Sequence, residues 1–107
     1  GQRAHFAFHS GEGDNTYALT RYTNEGARLY AVMEDYLSRS NDWFLDDNSI
    51  VDIAVYGWMH TAVHMGYSTA EHPRLDAWCK RMSARPAVMK GVSLPQPLPA
   101  FPDPKRP

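Results

Sequence analysis

Cysteine is nearly missing: Cys79 stands alone among 107 residues, so no internal disulfide can form and a reducing cytoplasm is the expected home. Charge of either sign is not in excess either. Eleven Lys and Arg against twelve Asp and Glu leave a net charge of −1, and the basic residues are scattered. No stripe exists to neutralise phosphates or anionic lipid, so neither nucleic acid nor a membrane surface is an expected partner. No apolar run approaches the roughly 20 residues that span a bilayer. The opening GQRAHFAFHS lacks the charged-then-apolar layout of a signal peptide. It begins on Gly1 rather than methionine, which gives the expectation of a chain cut from something longer. Sustained two-residue alternation is absent as well, which argues against a sheet.

What is present suits one helical core, with 43% hydrophobic residues in a chain of single-domain length. Residues 1–15 read as a helical remnant followed by a loop, because SGEGDN is a cluster of turn formers. From Thr16 to Arg39, Ala18, Tyr22, Leu29, Val32, Met33, Tyr36 and Leu37 recur at the steps of one helix face. SRSNDWFLDDN then makes a polar break. From Ile50 to about Met65 apolar residues occur on every face, which predicts a central helix buried all round. A third helix should start at Pro73 and stop at Arg85-Pro86, with a short helical turn in AVMKG ending at Gly91. From Val92 onward six of sixteen residues are proline, the composition of an extended tail.

An aspartate inside the apolar run, Asp52 in SIVDIA, needs a partner or a function, because an unpaired buried carboxylate is costly. Ser49, three residues earlier, supplies the partner in a capping box. The serine hydroxyl would accept from the Asp52 N–H while the Asp52 carboxylate reaches back to the Ser49 N–H. The charge would also lie at the positive end of the helix dipole. Such a box opens many helices, so by itself it marks structure rather than function.

Set beside HPRLDAWCKRMSARPAVMKG, the segment NSIVDIAVYGW resembles the C-terminal helical domain of glutathione transferases. There a Ser/Thr-x-x-Asp box opens the central helix, and a Pro-x-x-x-x-Trp…Arg-Pro segment forms a later one. RYTNEGARLY (Arg21 to Tyr30), with GQRAHF before it, is similar to the bacterial nu class, whose members reduce disulfides with glutathione. The hydrophobic residue that the family often places just ahead of the cap is here Asn48, so a staple would have to come from Phe44 or Leu45.

The resemblance implies an all-α bundle over residues 1–91, with the first helix mostly missing and the thioredoxin-like domain absent, followed by a Pro-rich tail over 92–107. It implies an enzyme that uses the glutathione thiolate to conjugate electrophiles or reduce disulfides, with glutathione as co-substrate, no metal, and a homodimeric assembly. No catalytic residue is expected here, since the thiol-activating group belongs to the other domain. This half would shape the second-substrate pocket, with Phe6 and Trp58 near it. Arg21 would approach glutathione bound in the neighbouring subunit, a guanidinium being able to donate two parallel bonds to a carboxylate. The rival for Arg21 is a simple ion pair with Glu25 one turn on. The rival for the whole chain is a non-catalytic interaction module, since the same helical fold serves in assembly complexes.

The remaining candidates favour structure over chemistry. His60 and His64, like His5 and His9, have zinc-compatible spacing but lack a third ligand and a base, so partly buried histidines are expected instead. Cys79 lies mid-helix, the place of a small buried hydrophobe rather than a nucleophile. Phe6, Phe8, Tyr17, Tyr22, Trp43 and Trp58 fit either a core or a greasy pocket wall.

Overall fold

The computed structural model describes residues 1–8, 13–39, 42–64 and 67–97, with only the backbone of residues 63 and 64. Five helices follow one another: α1 (Gln2–Phe8), α2 (Thr16–Arg39), α3 (Ile50–His64), α4 (Pro73–Ser83) and α5 (Pro86–Val92). No strand occurs among the described residues, so the chain is all-α as the lack of alternation predicts. The 24-residue span of α2 coincides with its apolar periodicity. Prolines at the first positions of α4 and α5 cost nothing there, because those N–H groups have no intrahelical partner. α5 runs one residue past Gly91. The described part of the tail, Leu94 to Pro97, is exposed, and residues 98–107 lie outside the described residues.

The core gathers on α4. Leu75, Trp78 and Met82, at helical spacing, are each 0% exposed, and α2, α3 and α5 all pack against this helix. Tyr30 and Leu37 arrive from α2, Phe44 from the connecting loop, and Tyr56, Met59 and Ala62 from α3. Phe44 and Tyr56 meet the Trp78 indole edge-on, at centroid distances of 5.1 and 6.0 Å, a favoured aromatic geometry.

The expectation that α3 is buried on every face is corrected. Asp52, Tyr56, Met59 and Ala62 are buried, but Ile50, Ile53 and Trp58 are 79, 60 and 67% exposed. α4 and α5 cover one side of α3, and among the described residues the backbone of α2 stands further from it than theirs does. Hydrophobicity reports which surface favours burial, not whether the chain supplies its cover.

The start of α4 is capped from another helix. Its N-cap, His72, makes no side-chain bond, whereas both oxygens of Glu34 on α2 accept from the N–H groups of Arg74 (3.1 Å) and Leu75 (2.8 Å). One carboxylate thus satisfies two donors that the first helical turn leaves open, and fixes α4 against α2. At the far end of α4, Arg81 donates to the carbonyl of Asp42 (2.7 Å) and stacks over Trp43 with its guanidinium 5.7 Å from the ring centre. The loop before α3 is thereby held in register with the core.

Candidate functional site

Asp52 is 0% exposed and accepts four hydrogen bonds. Oδ2 takes the Ser49 N–H (3.0 Å) and hydroxyl (3.1 Å); Oδ1 takes the Phe44 N–H (3.2 Å) and the Trp78 indole N–H (2.8 Å). The predicted bond back to the Ser49 N–H is therefore present. The reciprocal one differs: the Ser49 hydroxyl accepts from Val51 N–H (3.2 Å), not from Asp52. It has turned its own proton toward the carboxylate, and the nearer N–H then completes the cap. Burial pushes the Asp52 pKa up, but the bonds from Trp78, Ser49 and Phe44 outweigh it and hold the carboxyl below its ordinary value. With its lone pairs taken, Asp52 is the joint that locks α3 to α4 and to the loop.

Two concave surfaces flank α2. One, a groove of about 670 Å³, is lined by Tyr17, Thr20, Arg21, Tyr22, Asn24, Glu25 and Arg28. Arg28 donates to both Glu25 oxygens at 2.7 Å, so in place of the rival pairing of Arg21 with Glu25 there is a two-pronged bond from the other arginine. That bond is the main cause that lowers the Glu25 pKa, while Arg21 contributes only through space. Arg21 is exposed and takes no part in the ion pairs among the described residues.

Between α2 and α3 runs a second groove, of about 460 Å³, with walls of Leu29, Val32 and Met33 on one side and Val55, Trp58 and Met59 on the other. It follows from the wider separation of these two helix backbones. Tyr30 also lines it, with a buried hydroxyl that has no hydrogen-bond partner among the described residues. Burial pushes this phenol up to about 12, so it stays neutral at physiological pH.

The two residues expected near a second-substrate pocket are not brought into one cavity. Trp58 lines the apolar groove, whereas Phe6 stacks on Tyr22, with centroids 5.7 Å apart and planes 11° from parallel. The described residues contain no cluster of three metal-ligating side chains. His60 packs near Tyr56 at 6.1 Å, and the side chain of His64, with all of His9, lies outside the described residues. Cys79 is half-buried, and burial followed by the charge of Asp76 pushes its thiol up to about 11. A thiol so raised is almost wholly protonated at pH 7. Alkylation of folded protein by iodoacetamide is therefore expected to run at least tenfold slower than in denaturant, as mass spectrometry over time would record. Equal rates would contradict the buried, protonated thiol.

Glu34, Phe44 and Tyr67 were not singled out by the sequence for their bonding roles. Their partners lie 41, 8 and 45 positions away, beyond the reach of local patterns.

The family described as glutathione S-transferase, C-terminal domain, matches residues 5–86. Over 89 residues the chain is 35% identical to the disulfide-bond oxidoreductase YfcG of Escherichia coli, a match that takes in 82% of this chain and 40% of that protein. It is 32% identical over 82 residues to the disulfide-bond oxidoreductase YghU of the same organism, covering 70% of this chain and 28% of the relative. The crystal structure of a glutathione transferase homolog from Lodderomyces elongisporus, with two GSH per subunit, superposes with a TM-score of 0.81 at 30% identity. That likeness covers 88% of this chain and 45% of the other. The chain thus spans less than half the length of each of these proteins, and no described helix is long and apolar enough to cross a membrane.

Proposed function

We propose, starting from a chain that belongs to the glutathione S-transferase family through its C-terminal domain, that it forms the helical half of a glutathione-dependent enzyme conjugating electrophiles or reducing disulfides. Glutathione is the co-substrate, and the reacting thiolate is held by a domain outside these 107 residues. In this reading the helical half does two things. It offers apolar surface to the second substrate, along the groove edged by Trp58, and it extends Arg21 toward a carboxylate of glutathione bound in the other subunit of a homodimer. Holding both reactants in place is where such a half lowers the barrier, since positioning converts a two-body encounter into a one-body step.

The observation that carries the proposal is the division of labour between the two arginines. Arg28 saturates Glu25 with both prongs, which leaves Arg21 exposed and without an ion pair among the described residues, at the edge of a groove. Relatives whose names specify glutathione or disulfide chemistry support glutathione as the co-substrate. Phe6, stacked on Tyr22, packs against the turn next to Arg21.

Calorimetric titration of glutathione into the complete protein tests it. Arg21→Lys is expected to weaken binding about fivefold to tenfold despite keeping the charge, because an ammonium cannot reproduce a two-pronged bond. Arg21→Ala should weaken it further, by about 10- to 100-fold, the range for losing a charged hydrogen bond. Equal dissociation constants for all three proteins would return Arg21 to a surface residue and favour the rival reading of a non-catalytic interaction module.

A further inference from the structure

The turn of α2 that carries Arg21 is gripped from the side opposite its groove. Tyr67, in the connection between α3 and α4, lies across α2 at Gly26. Its hydroxyl donates to the carbonyl of Tyr22 at 3.3 Å, an oxygen that in a regular helix also accepts from the N–H four residues on. The crossing requires glycine. A Cβ at position 26 would sit 2.5 Å from the Tyr67 hydroxyl and 2.8 Å from two of its ring carbons, and this glycine's helical φ offers no other reason for the residue. Glycine within a helix is destabilising relative to alanine, so the notch is kept against local preference.

Two further contacts close the grip. The Arg3 guanidinium lies 5.0 Å from the centre of the Tyr67 ring, and its Nε donates to the Thr23 hydroxyl at 3.2 Å. α1, the α3–α4 connection and α2 therefore meet at residues 22, 23 and 26, around the turn that presents Arg21. The Tyr67 ring also packs on Tyr30 at 5.6 Å, which joins the grip to the core.

From this geometry we infer that Gly26 and Tyr67 act as a matched positioning pair for Arg21, a notch and a bar that set where the guanidinium stands relative to a bound carboxylate. The inference rests on the reading of Arg21 as a glutathione contact. A two-pronged bond to a carboxylate tolerates little displacement, so a shift of the turn by a fraction of an ångström is felt in affinity. A methyl group at position 26 makes either the turn or the Tyr67 ring move, and either breaks the fit between them. Removing the bar leaves the turn unsupported.

The test is glutathione titration of the complete protein carrying Gly26→Ala, Tyr67→Leu or both, each made with Arg21 present and in an Arg21→Ala background. Thermal denaturation of each variant is recorded beside it. With Arg21 present, each single change should weaken binding about threefold to tenfold, and the pair should cost no more than the worse single change, as residues acting as one unit do. In the Arg21→Ala background the same changes should leave the remaining affinity untouched, an outcome that a general loss of stability would not give. Tyr67→Phe, which keeps the ring and loses only the hydroxyl, serves if Tyr67→Leu fails to fold, with a smaller loss in the same direction. Parent-like affinity for Gly26→Ala and the Tyr67 variant, or equal losses with and without Arg21, would overturn the pairing while leaving Arg21 as a ligand contact. An Arg21→Ala protein that binds like the parent would overturn the ligand reading itself, and this inference with it.

Discussion

Asp52→Ala should lower the stability of the domain by about 2–6 kcal/mol, among the largest losses a single substitution here can cause. The variant removes the acceptor for the buried Phe44 N–H and Trp78 indole N–H, and for the Ser49 N–H at the helix start. Each of the two buried donors left without a partner costs about 1–3 kcal/mol, so together they cost about 2–6 kcal/mol. A domain of this length has a total stability of roughly 5–15 kcal/mol, of which that loss is a large part. Asp52→Asn is the milder case. Its amide oxygen can still receive Phe44 and Trp78, but its NH2 then faces the Ser49 N–H donor to donor, for a cost of about 1–3 kcal/mol. Urea denaturation followed by circular dichroism checks both. An unchanged midpoint for Asp52→Ala would show that the four bonds contribute no net stability.

The same carboxylate gives a pH signature of known sign. Its folded pKa lies below the ordinary value of 3.8, since the hydrogen bonds outweigh the opposing effect of burial. The stabilisation is therefore fully present above that ordinary value and is lost as pH falls through the depressed folded value. Parent protein should lose this contribution in acid, at pH values below about 4, whereas Asp52→Asn, having no proton to gain there, should show a correspondingly flatter acid limb.

How much of this was legible follows from the range of each interaction. α2 was readable because its apolar face repeats over 24 residues, and α4 because a proline opens it and Arg85-Pro86 closes it. The Ser49–Asp52 bond spans three positions and was readable as a capping box. The donors that complete the site, Phe44 and Trp78, stand 8 and 26 positions away, and nothing local announces them. Of the two residues considered for a staple, Phe44 is buried and Leu45 is 51% exposed, a choice made by the path of the loop. The opposite error occurred on α3. Ile50, Ile53 and Trp58 read as core because they are apolar, yet their cover is not supplied by the described residues. Arg21 and Arg28 were both visible, but which of them takes Glu25 depends on side-chain reach and was settled only by geometry.

Trp78 is where the second large effect is expected, and it separates the indole's hydrogen bond from its bulk. The side chain is 0% exposed, with Phe44 and Tyr56 set edge-on against it and its N–H on Asp52 at 2.8 Å. Trp78→Ala loses the whole ring and should cost about 3–5 kcal/mol, because a close-packed interior collapses only partly into the space left behind. Trp78→Phe keeps an aromatic ring but withdraws the donor and part of the volume, and about 1–3 kcal/mol is expected, drawn from the smaller cavity and one lost charge-assisted bond. Combining Trp78→Phe with Asp52→Asn distinguishes the two contributions. If the indole N–H stabilises the fold mainly through the carboxylate charge, the double variant should be less destabilised than the sum of the single ones, with a coupling of about 0.5–3 kcal/mol as for residues in direct contact. Strict additivity in urea denaturation would show that a neutral amide oxygen holds the indole N–H as well as the carboxylate does, so that the charge of Asp52 adds nothing to this bond.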